Sequence, residues 1–267
     1  MRGSFAVIQK AISIVLSAGL LVACTSQNKA SDAASTQWIS IFDGESLSGW
    51  TPKINGHALG EDPAQIFRVE NGELHVTYED MAEFDNAFGH LFLDEELANY
   101  RLRFEYRFLD AQKPGGPPWA YMNSGVMVHA QAPTTLRQDQ AFPVSLEAQL
   151  LGTSEQTPGR TTANICTPGT HIVLDGTLTK QHCVTSQTPA AAAGTWVSFE
   201  VEVRGSTRTR LMIDDTEAFV FTEPQFDTTD PDVVRLGLQG PVNQGYIALQ
   251  AESHPVAFRN IELMRLD

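Results

Sequence analysis

Tyr100-Arg-Leu-Arg-Phe-Glu-Tyr-Arg-Phe108 decides the fold class, because it alternates without a fault. In an extended chain Leu102, Phe104, Tyr106 and Phe108 share one face, and Arg101, Arg103, Glu105 and Arg107 share the other. The same period recurs downstream. Val126 and Val128 point inward from residues 125–129, and Leu146, Ala148 and Leu150 from residues 144–151. Val197, Phe199, Val201 and Val203 do so from residues 196–204. Residues 211–213 and 218–221 read as a hairpin around Asp214-Asp215, and residues 236–239, 246–250 and 256–259 complete the set. Residues 94–99 offer one helical turn at most, and no amphipathic helix of useful length follows Trp38. Roughly ten or more short strands without a helical crossover predict an all-β antiparallel sandwich, a jelly roll. No composition break or repeat divides residues 38–267, so they read as a single domain.

The rest of the chain is consistent with an exported globular protein. Hydrophobic residues make up 42% and charged residues 19%, which excludes a disordered or collagen-like chain. A net charge of −14 leaves no basic footprint for nucleic acid. Arg2 and Lys10 precede an apolar run that is too short to span a bilayer and ends in Leu21-Val22-Ala23-Cys24. This resembles a bacterial lipobox. It implies a signal peptide over residues 1–23, lipidation of Cys24, and Thr25 and Ser26 directing the protein to the outer membrane. Residues 24–37 are small and polar, a flexible tether. The expected location is the bacterial cell envelope, with membrane contact through the lipid alone. Cys166 and Cys183 then remain as an even pair, which in an oxidising compartment forms a disulfide. The alternative for that segment is a metal site, because it also holds His171 and His182.

The outward residues of three strands carry chemistry if those strands are neighbours. They are Glu105 and Arg107; Asn123, Met127 and His129; and Ser145, Glu147 and Gln149. Carboxylates, amides and guanidinium groups are directional partners for sugar hydroxyls. A carboxyl beside Arg or His can be tuned as an acid or a base. The plainer reading of each residue is a solvated strand face.

Six stretches, in order, resemble the 3-keto-disaccharide hydrolase family. Phe42-Asp-Gly-Glu-Ser-Leu-Ser-Gly-Trp50 is similar to its opening motif, and residues 100–108 to its strand ending in Glu-aromatic-Arg. Asn123-Ser-Gly125 resembles its Asn-Ser-Gly turn, and Ser145-Leu-Glu-Ala-Gln149 its Glu-x-Gln strand. Residues 245–250 and Phe258-Arg-Asn-Ile261 resemble its closing elements. Val128-His129 and Glu252-Ser-His254-Pro depart from the pattern of many relatives. The resemblance implies a concanavalin-like, laminarinase-like jelly roll that cleaves glycosides already oxidised at C3.

In that chemistry the ketone acidifies the C2 proton, a base removes it, and the enolate expels the C1 substituent. Hydration then gives the free 3-keto sugar. Glu147 and His129 are the candidates for proton transfer, and Arg107 and Gln149 for holding the ketone or enolate oxygen. Asn123 and Glu105 would hold hydroxyls or orient Arg107, and His254 is an outside candidate on a loop. Trp119 and Tyr121 would stack on a sugar ring or simply pack their loop. No cofactor motif appears, and a separate sugar C3-dehydrogenase would supply the substrate. A divalent metal, if used, would draw on His129, His171, His182, Glu105 and Glu147. Two further readings are an ordinary glycoside hydrolase, with Glu105 as the second acid, and a non-catalytic carbohydrate-binding surface lipoprotein.

Overall fold

A computed structural model describes residues 37–109 and 111–267, together with Met1 and Gly3. The expected cleavage site, Cys24 and the tether to residue 36 lie outside the described residues. The fold belongs to the unit Ala33–Asp267. Its strands begin with β1 (Ile39–Ser40), β2 (Trp50–Ile54), β3 (Phe67–Glu70), β4 (Glu73–Val76), β5 (Gly89–Leu97) and β6 (Asn99–Phe108). Next come β7 (Asn123–Ala130), β8 (Leu146–Thr153), β9 (Asn164–Cys166), β10 (Thr170–Leu174), β11 (Thr177–Thr179) and β12 (Cys183–Val184). The last six are β13 (Ala191–Ala192), β14 (Val197–Arg204), β15 (Arg208–Ile213), β16 (Thr216–Phe226), β17 (Gly245–Ala251) and β18 (Val256–Arg265). One short helix, α1 (Pro231–Leu236), lies between β16 and β17.

Two sheets result, as the alternation predicts. The 10-stranded sheet runs β11-β10-β16-β15-β14-β6-β18-β4-β3, with β1 on β18. The 8-stranded sheet runs β12-β9-β8-β7-β17-β5-β2, with β13 on β8. Leu102, Phe104 and Tyr106 of β6 meet Val126, Leu146, Ala148 and Leu249 of the other sheet in one buried core. Every second residue of β6 is buried, so the strand contributes one apolar face and leaves the other polar.

Two local expectations are corrected. Residues 94–97 are the end of β5 and Asn99 opens β6, with a bend at Ala98 and no helical turn, because Glu95 and Glu96 find partners on neighbouring elements in Arg265 and Gln244. Residues 236–239 are not a strand. Asp230 accepts hydrogen bonds from the Asp232 and Val233 amides, Pro231 opens α1, and Gly237 closes it at φ 65°. Those caps outweigh the short apolar alternation.

The outer face of the 8-stranded sheet is also covered. Met127, Phe92, Ala248 and Ala130 form a second buried cluster there, roofed by Leu136 and Phe142 of the β7–β8 connection. This is why all residues of β7 are buried. A sheet face covered by connections, rather than by another sheet, can hold a cavity.

Candidate active site

Register brings polar side chains into one row across that covered face. Asn164 pairs with Gln149, Gln149 with Gly125, Gln250 with His90, and His90 with Lys53. Leu249 opposite Val126 sets Gln250 beside Gly125. The next row runs Cys166, Glu147, Met127, Ala248 and Phe92. On the far side of Gly125 lie Asn123 and, just beyond the end of β17, Glu252. Period 2 puts all of these on the same face.

Gly125 is the position that lets the two sides meet. A Cβ there would stand 2.9 Å from Gln250 Oε1, 3.0 Å from Glu147 Cγ and 3.1 Å from Glu147 Oε1. Without it the Glu147 and Gln250 side chains lean over bare backbone. A cavity of about 420 Å³ opens above, lined by Glu147, Glu252, Asn123 and Gln149, with Trp119 and Phe142 on one side. Pro168, His182 and the Cys166–Cys183 bridge form the other side. The disulfide joins directly opposed residues of β9 and β12, so the expected pairing is present and walls the cavity. Trp119 stacks on Phe88 at 5.7 Å, and Phe88 packs on Phe142 at 5.1 Å, which makes the aromatic side stiff.

The carboxyls dominate the electrostatics. Burial pushes Glu147 up to about 8, with the facing Gln250 amide offsetting part of the effect. Burial and the charge of Glu147 hold Glu252 well above the carboxylate range, while Arg160 pulls it back. Two like charges in a dry site cannot both form, so the pair retains a proton at neutral pH. Glu147 Oε1, Glu252 Oε2, Asn123 Oδ1 and both polar atoms of Gln250 are buried without a hydrogen-bond partner. Buried polar atoms are normally satisfied, and such a concentration on one cavity suits a polar ligand. Gln149 Oε1 accepts from Asn164 Nδ2 at 3.1 Å, which leaves the Gln149 Nε2 group as its free donor. Arg160 donates to the Tyr121 and Trp119 carbonyls and so holds the aromatic segment beside Glu252. Ser253, at φ 76°, is fixed by Tyr78 Oη on its amide and Gln112 Nε2 on its hydroxyl, which sets the chain direction next to Glu252.

Several expected site residues lie elsewhere. Glu105 and Arg107 stand on the outer face of the 10-stranded sheet. Arg107 bonds Glu73 at 2.9 Å, and Glu105 bonds Arg259 at 2.9 Å. Both arginines stack on Trp196, at 4.4 and 4.0 Å. Alternation distinguishes inward from outward but cannot say which sheet a strand joins, and β6 joins the other one. His129, next to the last residue of β7, has φ 51° with Nε2 3.1 Å from Gly205 O, and burial lowers its pKa to about 4. It lies two residues, about 7 Å at 3.3 Å per residue, beyond the position opposite Glu147, and its ring is engaged by Gly205 O and does not line the cavity. His254 is buried behind the cavity, 3.2 Å from Leu109 O and edge-on to Phe108 and Tyr121. Tyr121 packs there rather than lining the cavity. His171 faces Asp227 at 3.6 Å, outside this cavity. The five expected metal donors therefore do not converge; only Glu147 and His182 share the cavity. Among the described residues no three His, Cys, Asp or Glu side chains group as metal ligands would.

Glu252, Gln250, Arg160 and Phe142 are the lining and supporting residues that sequence reading passed over. Glu252 was visible only as a departure from a motif, because it follows the last strand-period position of β17.

The profile of the 3-keto-alpha-glucoside-1,2-lyase-like domain matches residues 37–264. Among solved structures, a candidate glycosyl hydrolase from Parabacteroides distasonis ATCC 8503 is 18% identical, covering 87% of this chain and 95% of its own at a TM-score of 0.53. A protein of unknown function with a galectin-like fold from Bacillus subtilis is 11% identical, covering 82% and 90% at a TM-score of 0.52. These likenesses establish the fold. No curated protein matches the chain.

Proposed function

The chain belongs to the 3-keto-alpha-glucoside-1,2-lyase-like family, and on that premise we propose that the cavity cleaves glycosides oxidised at C3 by elimination across C1 and C2. The observation that carries this reading is the buried Glu147–Glu252 pair, which holds one proton between two carboxyls. Elimination needs one group to take a proton and another to give one.

The charge of Glu147 raises Glu252 by more than Arg160 lowers it, so Glu147 ionises first and is the base, and Glu252 keeps the proton. The Glu147 carboxylate removes the C2 proton, and the C–H electron pair moves into a C2–C3 enolate. The Gln149 Nε2 group supports the oxygen charge that develops at C3. The enolate then collapses: the ketone reforms, a C1–C2 double bond appears, and the C1–O bond breaks. The departing oxygen takes the proton of Glu252. Addition of water across the new double bond releases the 3-keto sugar. Asn123 holds a ring hydroxyl, and Trp119 offers its exposed face to the sugar.

The paired carboxyls would equally equip an ordinary glycoside hydrolase, a reading that gains Glu252 in place of Glu105 as its second acid. One experiment separates the two. A 3-keto-α-glucoside and its unoxidised parent are offered to the protein, and the 3-keto substrate is also prepared with deuterium at C2. The expected result is turnover of the oxidised substrate alone, slowed by the deuterium, and at least hundredfold slower in Glu252→Gln. Cleavage of the unoxidised parent, with no isotope effect, would overturn the elimination reading.

A further inference from the structure

Gln250 and His90 form a buried polar pair beside the cavity that the proposed reaction leaves unused. They stand directly opposite each other on β17 and β5, so their Cβ atoms are about 5 Å apart. Gln250 is fully buried and His90 is 3% exposed, and neither lines the cavity. Both polar atoms of Gln250 and the Nε2 atom of His90 are buried without a hydrogen-bond partner. On its other side Gln250 meets Glu147. Gln250 Oε1 and Glu147 Oε1 lie 2.9 and 3.1 Å from the point where a Gly125 Cβ would stand. The order across the sheet is therefore Glu147, Gln250, His90 and then Lys53, which pairs with His90 from β2.

An amide can serve either state of a carboxyl. The acid donates to the amide oxygen, whereas the carboxylate accepts from the amide nitrogen. Whichever end of Gln250 meets Glu147, the other end is left for His90. Little else competes for the imidazole. Phe92 and Phe142 pack on it, with ring centres 6.2 and 5.9 Å away. Lys53 Nζ is engaged by the Ile54 and Gln138 carbonyls at 2.9 and 3.0 Å. Burial, together with the Lys53 charge, lowers the His90 pKa to about 3, so the ring is neutral and carries one N–H.

We infer that His90 is a positioning residue: its Nε2–H donates to Gln250 Oε1 and so turns the Gln250 amide to donate from Nε2 to Glu147. A donor held on Glu147 favours its carboxylate. That is the form that takes the C2 proton, a consequence that rests on the elimination reading above. The other titratable groups facing Glu147 are Glu252, which shares its proton, and His182 on the cavity wall. Arg160 acts on Glu252, and Asp139 favours the charge of Lys53.

The test reads Glu147 without substrate. Its side-chain carboxyl is titrated by NMR in the parent chain, in His90→Leu and in His90→Gln. Loss of one hydrogen bond predicts that His90→Leu raises the midpoint by about one pH unit. His90→Gln keeps an N–H donor and should restore it. The rise of kcat/KM with pH should move by the same amount, with KM unchanged within about twofold. An unmoved midpoint in His90→Leu, even with lowered stability in urea, would show a purely structural residue and overturn the positioning role. So would a shift that His90→Gln leaves uncorrected. If His90→Leu does not fold, the ring-nitrogen shifts of the parent chain decide. The hydrogen must sit on Nε2 at neutral pH, and an Nδ1–H or doubly protonated ring overturns the inference. A moved midpoint in a chain that turns over no 3-keto substrate supports the inference and counts against the elimination reading alone.

Discussion

Glu147 holds its proton to about pH 8 because its carboxyl is buried, with no cation of its own to offset the burial. As the base of the proposed reaction it must be ionised, so kcat/KM should rise as pH rises toward about 8. A rate that instead falls through the same pH would transfer the acid role to Glu147 and the base role to Glu252. The same shift is a statement about stability. The folded carboxyl titrates above its ordinary 4.5, so the folded chain keeps a proton that the unfolded chain releases. Stability is therefore fullest below pH 4.5 and declines as pH rises toward 8. Glu147→Gln removes that penalty. It should stabilise the fold at pH 7 by on the order of 1–3 kcal/mol and by little at pH 4, as read by urea unfolding at both pH values. A variant less stable than the parent at pH 7 would contradict the burial argument.

β7 and β6 show how much depends on which sheet a strand joins. Gly125 sits in β7 where an added Cβ would press on Glu147 and Gln250. Gly125→Ala should lower kcat about a hundredfold, since displacement of a catalytic carboxyl by about 1 Å has that scale of effect. Its far-UV circular dichroism should remain that of the parent. β6 is the converse case. Its outer residues form ion pairs and cation–π stacks on the other sheet, among them Arg107 between Glu73 and Trp196. Arg107→Ala should leave kcat/KM within about twofold and cost about 1 kcal/mol or less, as half-exposed ion pairs do. A large kinetic loss in Arg107→Ala would show that the strand assignment misleads. The period of β6 was readable from its sequence, as were β7, β8, β14 and the β15–β16 hairpin. The partners of those strands were not, because pairing is set by the whole sheet order and not by any one strand.

At the scale of the molecule, two apolar sheet faces make the core, while connections make the site. The Cys166–Cys183 bridge closes a loop with a sequence separation of 17 and walls the cavity. Replacing both cysteines with serine should cost roughly 3 kcal/mol by chain entropy and raise KM, which thermal unfolding and steady-state kinetics would read separately. Alternation of apolar and polar residues determined by itself that this chain is an antiparallel sandwich, because each strand must bury one face whatever its neighbours are. Residue chemistry also marked Glu147, Gln149, Asn123 and Trp119, which do meet in one cavity. Only the tertiary structure decided what else meets them. Register across β9, β8, β7, β17 and β5 brought Gln250 to Gly125, and the turn after β17 brought Glu252 to Glu147. It also removed Glu105, Arg107 and His129 from the site. The physical reason is that period 2 gives the side on which a residue lies, whereas the neighbour it meets depends on pairings between strands far apart in the chain.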